Sequence, residues 1–422
     1  MKTRPSETTP LIRPLEDVTV LDLTTALAGP FATLLLAGMG ARVIKIENPA
    51  SLDSCRENAP YLGASGATLT RQHPDDVSIS AINRLRNKLG VTLNLKHPES
   101  KAVFADLVRK ADMVVENFSR GVMDKLGAGY AFAREVNPRI VYCSITGYGS
   151  TGLGSQGSGK AMDAIIQALS GVMLTSGSEG DPPVRVGVPF ADLSAPLFAV
   201  IGVLAALHQA QRTGVGQHVD VSMLGALTMM VAGEPFDILE RCGVPQRTGQ
   251  TVPRLAPFGV YPARDGYLAI CAPTEAFAKN VFIAIGRPEL SNDERFSTRD
   301  ARVKHVAEVD AIVEQFTRSR TVAEAVAALE QAGVPAAEVR GPTEAVRDPR
   351  VVARGETVPL LHPEFGQVDD VYGMGMPIKF SAAWSGFNQP APRPAEHNHA
   401  VYADLLGYSA ERIERLRLDG VI

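Results

Sequence analysis

Residues 187–207 read GVPFADLSAPLFAVIGVLAAL: one carboxylate, Asp192, stands at the mouth of a long uncharged run. Aspartate is a common helix N-cap, because its oxygens accept from the unpaired amides of the first turn. Here Ser194-Ala195-Pro196 offers a better-placed cap, with proline in the first helical turn. Asp192 is then expected one step outside the helix, where the N-terminal amides and the dipole favour negative charge. Position alone leaves two readings open, a redundant cap or a partly dry carboxylate poised to act as a nucleophile.

Other chemistry-bearing patterns are weaker. Gly152, Gly154 and Gly157 spell GxGxxG within GLGSQGSG. A dinucleotide fingerprint puts those glycines between a strand and a helix. Here GYGST intervenes after the strand, so a surface loop is expected. The two histidines of EHNH (396–399) lie in a proline-rich stretch with no metal-ligand spacing, which reads as a solvated tail. No GxSxG elbow or Walker loop occurs. Cys55, Cys143, Cys242 and Cys271 are far apart and form no CxxC pair, the usage of reduced thiols in a cytoplasmic protein.

The elements that must position Asp192 follow from hydrophobic periodicity. Residues 18–47 read as strand, helix, strand: VTVLDL, then GPFATLLLAGMG, then ARVIKIE. Two parallel strands about a helix make a right-handed crossover. GVTLNLK (90–96), a helix over 98–111, DMVVENF (112–118), RIVYCSIT (139–146) and a helix over 163–174 continue the alternation. This predicts an α/β layered sheet. Beyond about residue 235 the pattern changes to two strands about the Asp265-Gly266 turn. Helices follow, one opened by a Thr321/Glu324 capping box. This divides the chain into 1–235, a smaller α+β domain over 245–340, and a remainder over 350–422 that is proline-rich and ends in a short amphipathic helix.

Composition narrows the class. Apolar residues make 45% and charged residues 21% of the chain, as in a globular protein. A net charge of −4, with basic residues evenly spread, gives no stripe for nucleic acid. The N-terminus has no apolar signal core. The apolar run Ala195–Leu207 is about 13 residues against roughly 20 for a bilayer span. No membrane partner is expected.

The ordered blocks VLDLTTALAGPFATLLLAGMGARVIKIENP, RNKLGVTLNLKHPE, ADMVVENFSRGVMDKLGAGY, NPRIVYCSITGYGSTG, DAIIQALSGVM and IGVLAALHQAQRTGVGQHVDVSM span nearly the whole chain. With DGYLAICAPTE and LLGYSAERIERLRLDGVI, they resemble the class III CoA-transferases of CaiB/BaiF type, relatives of formyl-CoA transferase and α-methylacyl-CoA racemase. The resemblance implies a Rossmann-like large domain built from both chain ends, a small domain between, and an interlocked dimer, with an identical or a related partner subunit. It implies coenzyme A thioesters as substrates, with no permanently bound cofactor and no metal, and Asp192 as the nucleophile that becomes acylated. By the matching blocks, Leu27 and Ala28 approach the pantetheine, and Asn117, Phe118 and Ser119 contact the nucleotide. Arg86, Lys88 and Lys125 suit the phosphates, and Thr146 and Tyr148 line the entrance.

Two departures bear on substrate. Racemases of this family pair their aspartate with a histidine, where this chain has Met162, so racemisation ranks behind transfer. Formyl-CoA transferases carry glutamine at the position of Leu27. Arg247 and Arg254, in RTGQTVPRLAPFG, are expected to bind the distal carboxylate of a dicarboxylic acceptor. CoA transfer from succinyl-CoA or a similar donor to an organic acid is the leading expectation. An acyl-CoA racemase is second, and a nicotinamide-dependent dehydrogenase, resting on Gly152–Gly157, is remote.

Overall fold

A computed structural model describes residues 12–150, 161–252 and 254–422, so the glycine run at 152–157 lies outside the described residues. Six parallel strands form the main sheet: β1 (Thr19–Leu23), β2 (Arg42–Glu47), β3 (Lys88–Thr92), β4 (Met113–Glu116), β5 (Val141–Thr146) and β6 (His218–Ser222). Their spatial order is β3-β2-β1-β4-β5-β6. This is the Rossmann order, and it reverses direction between β1 and β4. All five residues of β1 are buried, as expected of a strand covered on both faces.

Helix α1 (Ala28–Gly38) follows β1 and is buried almost all round. It starts close to the strand because Gly29 has no side chain: a Cβ there would lie 2.3 Å from Thr24 Cβ. Further helices of this unit are α2 (Ile79–Leu85), α3 (Ser100–Arg109), α4 (Tyr130–Val136), α5 (Asp163–Leu169), α6 (Phe190–Thr213) and α7 (Met223–Val231). With 24 residues and a hydropathy of 2.0, α6 is long and apolar enough to cross a membrane, but half of that stretch is buried. It packs on α1, α7, β5 and β6, which accounts for its apolar composition.

The chain divides into two compact units, one of Met1–Ser170, Val186–Val231 and Val346–Ile422, the other of Gly171–Arg185 and Ala232–Ala345. Gly171–Arg185, which the sequence reading placed in the first segment, groups with the second unit. Within that unit, β7 (Phe258–Pro262) and β8 (Tyr267–Cys271) pair antiparallel about Asp265-Gly266, and β9 (Ala336–Glu338) adds on β8. The Thr321/Glu324 capping box forms at the head of Val322–Gln331.

Two sequence expectations change here. Strand β3 runs from residue 88 to 92 rather than 90–96, because the Asn94 side chain accepts from the Lys96 amide and turns the chain out of the sheet. EHNH is not a solvated tail. Gly90 N–H donates to His397 Nδ1 at 3.2 Å, and Thr92 N–H donates to Asn398 Oδ1 at 3.0 Å. The return segment thus covers the open edge of β3, whose amides would otherwise invite another strand.

Beneath the β1–α1 turn lies a dry charge cluster. Lys88 Nζ donates to Asp22 at 2.9 Å, to Thr33 Oγ1 at 2.7 Å and to the Pro30 carbonyl at 3.0 Å. Lys45 pairs with Asp53 at 2.9 Å and reaches Asp22 at 3.9 Å. Burial disfavours both charges of each pair. Even so, the lysines hold Asp22 below its ordinary pKa, and Asp22, Asp53 and Glu47 push Lys45 up. Lys88→Met leaves Asp22 with only the more distant Lys45. It should cost about 3 kcal/mol of unfolding free energy, measured by guanidinium denaturation. An unchanged midpoint would contradict the structural role.

Candidate active site

Asp192 sits in the first turn of α6, two residues inside the helix rather than outside it. The expected cap at Ser194 does not form. Its hydroxyl contacts the Ala191 carbonyl at 3.4 Å, inside the helix. Asp163, at the head of α5, supplies the cap across space: its Oδ1 accepts from Ala191 N–H at 2.8 Å and from Asp192 N–H at 3.4 Å. Gln167 Nε2 donates to the other oxygen at 2.8 Å and holds that carboxylate in place. Pro196 lies inside the helix, four residues after Asp192. Having no N–H, it cannot donate to the Asp192 carbonyl, so the first turn is left open on that side.

The electrostatics make Asp192 an unusual acid. Burial, with the charge of Asp163 acting in the same direction, raises its pKa to about 6 against the opposing Arg84 guanidinium. Arg84 lies in the last turn of α2 and donates from Nη1 to the Ala26 carbonyl at 2.9 Å. Ala26 takes a left-handed conformation, φ +66°. Its amide donates to Asp53 Oδ1 at 2.8 Å, and the Thr25 amide donates to Asn117 Oδ1 at 2.8 Å. Side chains from three other elements thus hold the turn that delivers Leu27 and Ala28 to the head of α1, where no side chain caps the helix.

A cleft of about 400 Å³ opens at the carboxyl ends of β1, β2 and β4. Its walls include Thr25, Ile46, Leu93, Lys96, Phe118 and Leu126. It lies beside the β1/β4 reversal, where open α/β sheets bind ligands. Phe118 lines it, with Asn117 just behind, bonded twice to the Thr25 backbone. Ser119 and Lys125 are exposed nearby in sequence, and Val122 and Leu126, which flank Lys125, line the cleft. Thr146 ends β5, its hydroxyl accepting from Gly149 N–H at 2.9 Å, and Tyr148 beside it is half-buried.

Several expected ligand contacts are corrected. Lys88 is spent in the charge cluster and faces no cleft. Arg86 is buried, bonded to the Asn83 side chain at 3.2 Å and to the Met374 carbonyl, and stacked 4.5 Å above Phe387. Burial lowers its pKa to about 10. Both residues are structural, since a phosphate cannot reach a cation already enclosed by protein acceptors. Arg247 is likewise buried, donating to the carbonyls of Ser176 at 2.8 Å, Pro182 at 2.9 Å and Asp181. Arg254 forms a two-pronged pair with Glu234, at 3.0 and 2.9 Å. Neither arginine presents an unengaged charge to an acceptor acid. The sequence reading missed Arg84, Lys96 and Asp163. The Met162-Asp163 block drew attention only for a missing histidine, and LNLK offered Lys96 as a basic residue just past a strand.

Labelling aspartate carboxyls with ¹³C should give the Asp192 resonance, assigned by its loss in Asp192→Asn, a midpoint near pH 6. In Asp163→Asn the cap survives but the like charge is gone, so the midpoint should fall. A midpoint near 4 in the native protein would remove this description.

Comparison with known proteins agrees with the geometry. The sequence pattern of CoA-transferase family III matches residues 15–398. Over 412 residues the chain is 34% identical to succinyl-CoA–D-citramalate CoA-transferase of Chloroflexus aurantiacus, covering 97% of this chain and 98% of that one. It is 35% identical over 404 residues to succinate–glutarate CoA-transferase of Agrobacterium fabrum, covering 95% and 97%. A crystal structure of a CaiB/BaiF family protein from Brucella suis superposes with a TM-score of 0.77 at 31% identity, covering 93% of this chain and 99% of that one. With the Rossmann strand order, the cleft at its reversal point and a half-buried aspartate at the head of α6, the chain belongs to CoA-transferase family III.

Proposed function

We propose that the protein moves CoA from succinyl-CoA or a similar thioester to a dicarboxylic acid through covalent intermediates on Asp192. The carrying observation is a half-buried carboxylate whose pKa, about 6, leaves it ionised at neutral pH and more basic than an ordinary aspartate. An Asp192 oxygen attacks the thioester carbon, the C–S bond breaks, and CoA leaves as thiolate with a mixed anhydride behind it. The thiolate attacks the aspartyl carbonyl of that anhydride and releases the donor's carboxylate, giving an aspartyl-CoA thioester. The acceptor carboxylate attacks this thioester and expels the thiolate, which then takes the acceptor acyl group and frees Asp192. No proton is transferred, so no general base is needed.

Leu27 and Ala28 flank the thioester in this reading, and Phe118, Asn117 and Ser119 border the nucleotide. Thr146 and Tyr148 line the entrance. Lys96 and Lys125 meet the phosphates, in place of Arg86 and Lys88. Asp163 occupies the α6 amides, so oxyanion donors come from the uncapped head of α1 instead. Met162 supplies no second acid/base, which disfavours racemisation. The first βα turn, TTALAG, lacks the glycine fingerprint that a nicotinamide cofactor would require there.

A homodimer fits the apolar residues left exposed on α5 to α7 and just before α5, among them Met162 at 74%, Ile201 at 64% and Met229 at 64%. A second copy would cover them, in keeping with the interlocked partner that the resemblance implies. A cytoplasmic setting rests on four unbridged cysteines.

Incubation with succinyl-CoA and a panel of acids, with products separated chromatographically, should show CoA on a dicarboxylate. Transfer should fall by at least about 10³-fold in Asp192→Asn, and quenched native protein should carry an acyl or CoA adduct on Asp192. Transfer at the native rate by Asp192→Ala would refute the mechanism. Because Asp192 must be ionised, kcat/KM should rise through about pH 6 and level off above it.

A further inference from the structure

Lys45, Lys88, Arg84 and Arg86 lie in or near the β1–α1 turn, and all but Arg84 are held by protein partners that enclose them. Lys45 and Lys88 are locked to Asp22 and Asp53, and Arg86 is enclosed by Asn83, Met374 and Phe387. Arg84 differs. Among the described residues, its one hydrogen bond is the 2.9 Å contact from Nη1 to the Ala26 carbonyl, and the side chain is only partly buried. A guanidinium has five N–H donors in a planar fork, so most of the fork remains available.

The anions near Arg84 are Asp53, the Cys55 thiol position and Asp192. Asp53 is already paired with Lys45 and accepts from the Ala26 and Cys55 amides. The Cys55 thiol is kept neutral by burial, which pushes its pKa to about 12. Among the described residues, Asp192 is therefore the uncommitted anion that balances Arg84 in the resting protein, and the two interact without an ion-pair contact. Acylation removes that anion. In the proposed aspartyl-CoA state, Arg84 is a partly dry cation with no counter-charge beyond a carboxylate that another cation already holds.

We propose that Arg84 is the specificity residue that receives the non-reacting carboxylate of a dicarboxylic acyl group, a role that rests on the transferase reading above. A carboxylate in direct contact with Arg84 stands off from Asp192, because Arg84 itself stops short of it. The other end of a short dicarboxylate can then reach the aspartyl carbon. A monocarboxylate of equal length reaches the same carbon but leaves Arg84 uncompensated. Specificity for dicarboxylates thus comes from the charge that acylation strands, and Arg247 and Arg254 are not needed for it. The same subsite takes the free carboxylate of succinyl-CoA on the donor leg.

The test uses the full-length protein with acetyl-CoA as donor, and glutarate or pentanoate as acceptor. In Arg84→Met, kcat/KM for glutarate relative to pentanoate should fall by about tenfold or more, chiefly through the KM of glutarate. Arg84→Lys should recover part of the preference. The KM of succinyl-CoA should rise in Arg84→Met while that of acetyl-CoA does not. Native protein gives a readout independent of any variant: glutarate, but not pentanoate, should protect Arg84 from phenylglyoxal, mapped by peptide mass spectrometry. An unchanged acid ratio, an equal loss for both acids, or equal protection by both would overturn the assignment while transfer itself persists. Failure of the native protein to move CoA to any acid would instead overturn the transferase reading, and this proposal with it.

Discussion

The turn between β1 and α1 has no regular hydrogen bonding of its own, and the site depends on it. Ion pairing below the sheet surface fixes it. Asp22 on β1, Lys45 on β2 and Lys88 on β3 bind three adjacent strands to one another through side chains, and Asp53 extends the cluster to the Thr25 hydroxyl and the Ala26 amide. Removing charges from water is costly, and this arrangement offsets the cost only because every member has several partners. One geometry satisfies all of them together. That fixes the left-handed conformation at Ala26, the entry angle of α1, and the carbonyl on which Arg84 rests.

From that carbonyl the constraint passes to Asp192. Arg84 is tied to the turn, and Asp163 is tied to the head of α6 through two backbone amides. Asp192 therefore lies in a field set by one cation and one anion of fixed position. The two charges oppose each other, and burial decides the balance toward a weaker acid. This suits the proposed role, in which the group acts twice. A more basic carboxylate attacks a thioester more readily, but it is a poorer leaving group when the anhydride has to open. A pKa of about 6 lies between these demands and still leaves the group ionised at neutral pH.

The sheet, the hairpin about Asp265-Gly266 and the capping box at Thr321 were legible in the sequence, because each is written in residues close together in the chain. Asp192 stood out as a candidate for the same reason: a lone acid at the head of an apolar helix is a local anomaly. What could not be read is where each charge finds its partner. Asp22 meets Lys88 across 66 residues, Arg86 meets the Met374 carbonyl across 288, and Asp163 caps a helix from 28 residues upstream. In RLRNK, three cations look alike as a string, yet α2 and β3 turn one toward the site and two into the interior. Arg247 looked available for similar reasons and is bound by three carbonyls of its own unit. The misplaced start of α6 has another cause. Ser194 and Pro196 form a good local cap signal, but Asp163 offers a charged acceptor to the amides of the preceding turn, and charge-assisted bonds outcompete a neutral hydroxyl.

The return of the chain through 346–422 has a physical reason as well as a topological one. A sheet whose order reverses at β1 leaves β3 as an edge, and β3 carries Lys88, a member of the charge cluster. An edge strand exchanging with solvent or with another strand would let water reach Asp22 and Lys88, and their attraction weakens as the local dielectric rises. The backbone of His397 and the side chains of His397 and Asn398 occupy that edge, and Tyr402 adds a bond from its hydroxyl to the Thr92 carbonyl at 2.6 Å. The end of the chain thus keeps dry the cluster that shapes its beginning. A substitution at His397 or Asn398, more than 200 residues from Asp192 in sequence, is expected to act on Asp192 through the β1–α1 turn.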